Sequence, residues 1–189
     1  MIILTLNCGS SSLKYQIYDF DKQEVLANGI VERIGIEGSF IKHNASGKEE
    51  YKLEHSCPTH KEAIDLIMKT LIDPVVGAIK SIDDIKAVGH RVVHGGEKFS
   101  KSIIIDDKII ETFDSIQGLA PLHNPANIIG IKAAQEELPN VKHCAIMDTA
   151  WHQTMPQEVY LYALPYDWYS KYGVRRYGFH GTSFLYTAK

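Results

Sequence analysis

The sequence predicts an α/β domain whose mixed sheet, flanked by helices, opens with a β-meander. Three observations predict it. Residues 2–31 hold three strand-like runs in succession, separated only by short polar turns. From residue 59 onward, helical and strand-like patterns alternate. The runs at 87–96 and 141–147 are apolar and β-branched, as in strands covered on both faces of a parallel sheet.

The elements follow in order. Residues 2–7 are a short apolar run. Leu13, Tyr15 and Ile17 then alternate through 12–20, which marks a half-buried strand. Asp19 to Lys22 is turn-like, and 24–31 gives the third strand. Gly38, Asn44 and Gly47 punctuate the next stretch, where short strands are expected at 39–43 and 49–54. Thr59 followed by Glu62 is a capping box, and Ile64, Ile67, Met68 and Leu71 recur at helical spacing until Asp73-Pro74. In "AVGHRVVHGG" (87–96), two glycines stop a strand. In "HNPANIIGIKAAQEEL" (123–138), Asn124 is the expected N-cap and Pro125 the first helical residue. Pro139 and Asn140 break that helix, and 141–147 is a buried strand with Asp148 at its carboxyl end. Residues 151–180, rich in Tyr, Trp, Pro and Gly, read as a long ordered excursion, and "GTSFLYTAK" opens a helix. The chain therefore divides into a lobe over 1–150 and an aromatic-rich extension over 151–189.

Composition excludes several classes. Lys plus Arg is 20 and Asp plus Glu is 23, a net charge of −3, so no nucleic-acid footprint is present. The 44% hydrophobic content is that of a globular chain, and no apolar run reaches membrane-span length. "MIILTLNCG" lacks the basic region of a signal peptide. Cys8, Cys57 and Cys144 are odd in number and far apart, and read as free thiols of a reducing compartment. A cytoplasmic address is expected.

Several stretches carry chemistry. In "LNCGSSSLKYQIYD" (6–19), a tight turn with hydroxyls and a nearby cation, Lys14, suits an anion, though a polar hairpin explains it equally. Arg91 lies in an otherwise apolar strand and calls for an anionic partner, which is either a structural carboxylate or a ligand. His90 and His94 do not make one metal site, because four residues of strand span roughly 13 Å. "LAPLHNP" (119–125) is a helix entry. Asp148 sits where open α/β sheets place ligands, and suits Mg²⁺ or proton handling; capping with Thr149 is the plainer alternative. His180, held in a Gly-Phe-His-Gly turn, could donate to a developing negative charge or simply pack on tyrosines.

Each signal is weak alone. Together, "LNCGSSSLKYQIYD", "VGHRVVHGGEKFSKS", "LAPLHNPAN", "MDTAWHQTMP" and "RRYGFHGTS" closely resemble the acetate kinase family, from residue 1 almost to the end. The resemblance implies a ribonuclease-H-like lobe of the actin, sugar-kinase and Hsp70 superfamily. It implies reversible phosphoryl transfer from ATP to acetate, giving ADP and acetyl phosphate, with Mg²⁺ or Mn²⁺ and no covalent enzyme intermediate. A propionate or butyrate kinase is the close alternative, and a non-catalytic anion-binding domain the distant one. By resemblance, Asn7 lies at the metal site, and Ser10, Ser12 and Lys14 face the ATP phosphates. Arg91 grips the acyl substrate, and Val93, Leu122 and Phe179 wall the pocket for its methyl group. Asp148 is the essential acid and His180 the transition-state stabiliser. Many relatives carry a histidine where this chain has Phe184. Family members are also longer, and their adenosine-binding glycine loops, a second arginine and a glutamate have no counterpart here. The chain is accordingly expected to be an N-terminal part of such a kinase, inactive alone, with the full-length protein a homodimer.

Overall fold

The computed structural model describes residues 1–189, and its framework is a single eight-stranded sheet. Strands β1 (Ile2–Cys8), β2 (Ser12–Asp19), β3 (Glu24–Glu32), β4 (Phe40–Ala45) and β5 (Tyr51–Glu54) pair antiparallel in sequence order. On the other side of β1, strand β6 (Ile85–Val92) runs parallel to it. The two-residue strand β7 (Ile103–Ile104) closes that edge, antiparallel to β8 (Lys142–Met147), which itself pairs parallel with β6. The spatial order is β5-β4-β3-β2-β1-β6-β8-β7. The expected meander followed by parallel strands is what forms, with the strand ends shifted by a residue or two.

Helices α1 (His60–Leu71), α2 (Asp107–Ser115) and α3 (Asn124–Glu137) cover one face. Alternation along each strand sorts its side chains between faces. Leu4, Leu6 and Cys8 of β1, with Leu13, Tyr15 and Ile17 of β2, pack in a core with Ile64, Ile67 and Leu71 of α1 and Ala133 and Ala134 of α3. A second core joins Val92, Ala145 and Met147 to Phe113 of α2 and Ile128 and Ile131 of α3. Truncating a fully buried leucine such as Leu4 to Ala costs about 3 kcal/mol. The same alternation sends Thr5, Asn7, Lys14, Gly89 and Arg91 to the opposite face, which none of these three helices covers. After β8 come three short helices, α4 (Gln157–Tyr160), α5 (Tyr166–Tyr172) and α6 (Gly181–Thr187). No helix is long and apolar enough to cross a membrane.

Three local expectations are corrected. The capping box of Thr59 and Glu62 forms as read, but Asn124 does not cap α3. His123 occupies that position without a side-chain cap bond, and Asn124 is the first helical residue, wholly buried. Its amide is drawn instead to the backbone of His94, a stronger claim on a buried polar group than a cap that solvent can replace. Helix α2 was not anticipated, although Asp106 caps it through the Ile109 N–H and Ile110 and Phe113 are its buried face. The 151–180 stretch, read as a long ordered excursion without assigned elements, holds α4 and α5.

Four of the buried polar side chains are histidine rings held in fixed tautomers. His143 Nε2 donates to the Leu138 carbonyl (3.1 Å), so its Nδ1 accepts from His90 Nε2 (2.9 Å), joining β8 to β6. His43 Nε2 donates to the Val76 carbonyl (3.1 Å), and its Nδ1 accepts from the Tyr15 hydroxyl (2.6 Å). His94 Nδ1 accepts from the Gly96 N–H (2.9 Å). Burial pushes the pKa of each of these four rings down, and that of His90, which also faces His143, to about 3. The unfolded chain therefore binds protons that the native state refuses. Their contribution to stability is complete above the ordinary histidine pKa of 6.5 and is lost as pH falls below it. Urea unfolding at pH 7, 6 and 5 should show stability falling by about 1.4 kcal/mol per pH unit for each fully depressed histidine below 6.5. A His90→Leu variant should have a shallower slope. Stability that is flat from pH 7 to 5 would contradict the neutral tautomers.

Candidate active site

Because β1, β6 and β8 run parallel, their carboxyl ends meet at one edge, and the residues just beyond them converge. Arg91 is one residue from the end of β6, and Asp148 is the first residue after β8. Both point to the face opposite α1–α3. Arg91 Nε donates to Asp148 Oδ1 (2.9 Å) and Nη2 to Oδ2 (2.6 Å), a bidentate pair. His180 completes the group. Its Nδ1 accepts from Arg91 Nη2 at 3.2 Å and lies 3.5 Å from Asp148 Oδ2. The pair raises the pKa of Arg91 further, chiefly through its bonds to Asp148.

Local structure aims His180. Its φ of 53° is left-handed, a strained conformation for a residue with a Cβ. The next residue can only be glycine, since a Cβ at Gly181 would lie 2.4 Å from the Asp148 carbonyl oxygen. That approach lets the Gly181 N–H donate to the same oxygen at 2.8 Å.

Helix α3 anchors the other strand ends. Asn127 Oδ1 accepts from the Val93 N–H (3.0 Å), and its Nδ2 donates to the Cys8 carbonyl (2.7 Å), bridging β6 and β1. Asn124 makes two bonds with the His94 backbone, at 3.1 and 2.9 Å. Thr149 Oγ1 accepts from the Gly95 N–H (3.0 Å). His60 Nε2 donates to the Gly9 carbonyl (2.7 Å) behind the first turn. None of these supports was recognised in the sequence; the Asn124/Asn127 spacing at a helix start was the one visible sign. Cys8 is buried and its thiol is pushed up to about 12, so it is no nucleophile.

Two cavities meet at the Arg91–Asp148–His180 group. The larger, about 710 Å³, has polar walls that include Lys14, Gln16, Asn28 and Ser183. The smaller, about 560 Å³, is mixed, with Val93, Leu119, Ala120 and Phe179 beside polar residues that include His123. Asn7, Arg91, Asp148 and His180 line both. Of the residues singled out in the sequence, Asn7, Lys14, Arg91, Val93, Asp148, Phe179 and His180 are thus brought together. Ser10 and Ser12 stay in the turn, where the Gly9 N–H bonds the Ser12 carbonyl, and line neither cavity. Leu122 is 78% exposed and off the wall; Leu119 and Ala120, a turn earlier, face the smaller cavity instead.

A family profile described as the acetokinase family matches residues 2–189. The chain is 61% identical over 189 residues to a protein named acetate kinase from Geobacter metallireducens, covering 100% of this chain and 45% of that relative. A crystal structure of Porphyromonas gingivalis acetate kinase is similar at TM-score 0.93 and 50% identity, over 97% of this chain and 46% of that one. A propionate kinase structure from Francisella tularensis gives TM-score 0.91 and 37% identity, over 98% and 47%. The chain spans about half the length of the relatives it matches.

The geometry predicts an asymmetric response to breaking the ion pair. Asp148 is only 3% exposed, whereas the Arg91 side chain is 38% exposed and reaches water. Arg91→Ala strands a buried carboxylate and should cost about 3 kcal/mol, whereas Asp148→Ala leaves a guanidinium that can hydrate and should cost about 1. Urea denaturation at pH 7 of both variants checks the order; a costlier Asp148→Ala would refute it.

Proposed function

The chain belongs to the acetokinase family, and from that premise we propose that it supplies one side of a site where ATP phosphorylates acetate to give acetyl phosphate and ADP. The observation that carries this reading is the junction of two cavities at one group that presents the partly exposed Arg91 fork. The first cavity, with Lys14 on its wall, suits a polyphosphate, and the second, where Val93, Leu119, Ala120 and Phe179 lie beside the shared polar group, suits an acyl chain.

The chemistry follows from charge. An acetate oxygen must approach a γ-phosphoryl group that is itself negative, so the site has to hold two anions in line and neutralise the equatorial oxygens. Arg91 lies where both meet and offers a planar fork to a carboxylate or phosphoryl group. His180, beside it, donates from its ring to charge that grows in the transition state. Lys14 serves the phosphates from the larger cavity as a point charge. Val93 and Phe179 receive the methyl group. Acetate carries no proton to remove at neutral pH, so Asp148 is not required as a base. We assign it to fixing the Arg91 fork and to metal binding.

No cluster of three or more His, Cys, Asp or Glu side chains here could by itself cage a metal. That suits Mg²⁺ on phosphate, which takes one or two protein oxygens and keeps its other positions for water and phosphate. Asp148 and the Asn7 amide oxygen, on the same walls, would hold it. The ion would neutralise the β- and γ-phosphate oxygens. Residues 151–189 are read as the passage from this lobe into a second one; α6 packs on the 151–154 turn and the end of β8.

The test is acetyl phosphate formation, trapped as hydroxamate, in a protein that carries this chain together with the length its relatives add. Arg91→Ala and His180→Ala should each lower kcat/KM by about a hundredfold or more. Residues 1–189 alone should not turn over. Comparing kcat/KM for acetate, propionate and butyrate sets the acyl preference, where one methylene is worth about 1–3 kcal/mol. Parental turnover in both variants would overturn the assignment.

A further inference from the structure

We propose that His152 is a positioning residue that aims His180 at the Arg91–Asp148 pair. The inference rests on the kinase reading for its consequence, but not for its geometry.

Four observations converge on it. His152 Nε2 donates to the carbonyl of Phe179, the residue immediately before His180, at 2.9 Å. The His152 ring lies so close to Gly178 that a Cβ there would sit 2.3 Å from ring carbon Cγ. Only glycine leaves room for the imidazole beneath the turn. The ring is itself fixed edge-on against Trp151 (5.1 Å between centroids) and Phe184 (5.6 Å). Trp151 and Phe184 stack on each other at 5.9 Å with an interplanar angle of 6°. His152 thus sits in an aromatic frame with one polar atom directed at one backbone oxygen.

The consequence is mechanical. His180 holds a left-handed conformation that its own side chain disfavours. Such a residue needs anchors on both sides. On the far side, the Gly181 N–H is bound by the Asp148 carbonyl. On the near side, the Phe179 carbonyl is bound by His152. Both anchors belong to the single stretch 148–152, the strand-end acid and the short turn after it. The segment that carries the acid therefore also fixes the imidazole, so the spacing of the two is set by five residues of chain. Phe179, whose carbonyl His152 holds, also walls the smaller cavity, and its ring lies edge-on to buried His94 at 5.6 Å.

Two substitutions separate this role from packing. His152→Phe keeps a ring in the aromatic frame and removes the donor. His152→Gln loses the ring and can still donate to the Phe179 carbonyl. In the same hydroxamate assay, His152→Phe should lower kcat about a hundredfold with KM for ATP within about twofold, and His152→Gln should recover most of the loss. The second readout does not depend on turnover. Proton NMR of the chain with labelled histidine and arginine should show nuclear Overhauser contacts between the His180 ring and the Arg91 side chain, lost in His152→Phe and retained in His152→Gln, with Tm of His152→Phe near that of the parent. Intact contacts in His152→Phe, or equal damage in both variants, would overturn the proposal. Lost contacts with undiminished kcat would uphold the positioning and remove His180 from the proposed chemistry.

Discussion

The arrangement depends on one interaction, the bidentate pair between Arg91 and Asp148 across the ends of β6 and β8. A guanidinium in an apolar strand is favoured opposite a fixed anion, and the part-exposed Arg91 finds one on its inner edge. Asp148 is that anion, held by its position on the first residue past a buried strand and by its N–H bond to the Val92 carbonyl. The parallel register of β6 and β8, which sets Arg91 opposite Ile146, brings the next outward-facing residue of β8 within reach of the fork. Shifting that register by one residue would turn Asp148 toward the helices and leave both charges without partners. The pair therefore links sheet pairing directly to site geometry. It also leaves Arg91 part exposed, so the same guanidinium can serve structure on one edge and a ligand on the other.

The supports behind the pair are neutral. The rings of His90, His143, His43 and His94 are bonded as uncharged tautomers beneath the sheet, and Asn124 and Asn127 satisfy backbone groups at the strand ends. These supports carry no charge, whereas the Arg91–Asp148 pair lies at the edge where the two cavities open. The fold gains from this neutrality, since uncompensated charge beneath the sheet would weaken it. His90 and Arg91 are adjacent in sequence yet face opposite sides of the sheet. Alternation alone separates a ring that must stay neutral from a cation that cannot be.

The sequence made the sheet legible because period-two alternation and β-branched runs are properties of the chain itself. The meander, α1 with its capping box and the buried strand before Asp148 were all readable. Strand β7 was not, since two residues carry no period. The site was legible as separate motifs, and their convergence came from resemblance rather than from spacing. What stayed hidden were groups whose role depends on where they fold. Asn124 looks like a cap and instead holds the His94 backbone. Leu122, beside a site histidine in sequence, points outward while Ala120 points in, because the 117–123 stretch is a tight turn in which neighbouring side chains diverge. His152, one of nine histidines, has nothing local to distinguish it.

Asp148 then has two functions that its side chain and backbone divide. Its carboxylate holds Arg91, and its carbonyl holds the Gly181 N–H that begins α6. One residue fixes the cation on one side and the imidazole on the other, so neither can drift without straining the same point. This gives a physical reason for the strained φ of His180: a relaxed backbone there would free the ring from the Arg91–Asp148 pair, and about 1 kcal/mol of left-handed strain is small beside two backbone anchors. Phe184 belongs to the same device. Its parallel stack on Trp151 ties α6 to the turn after Asp148 through an apolar contact that no change of pH within the physiological range can ionise. In this chain, the turn that carries the imidazole is therefore held by packing and backbone bonds rather than by charge.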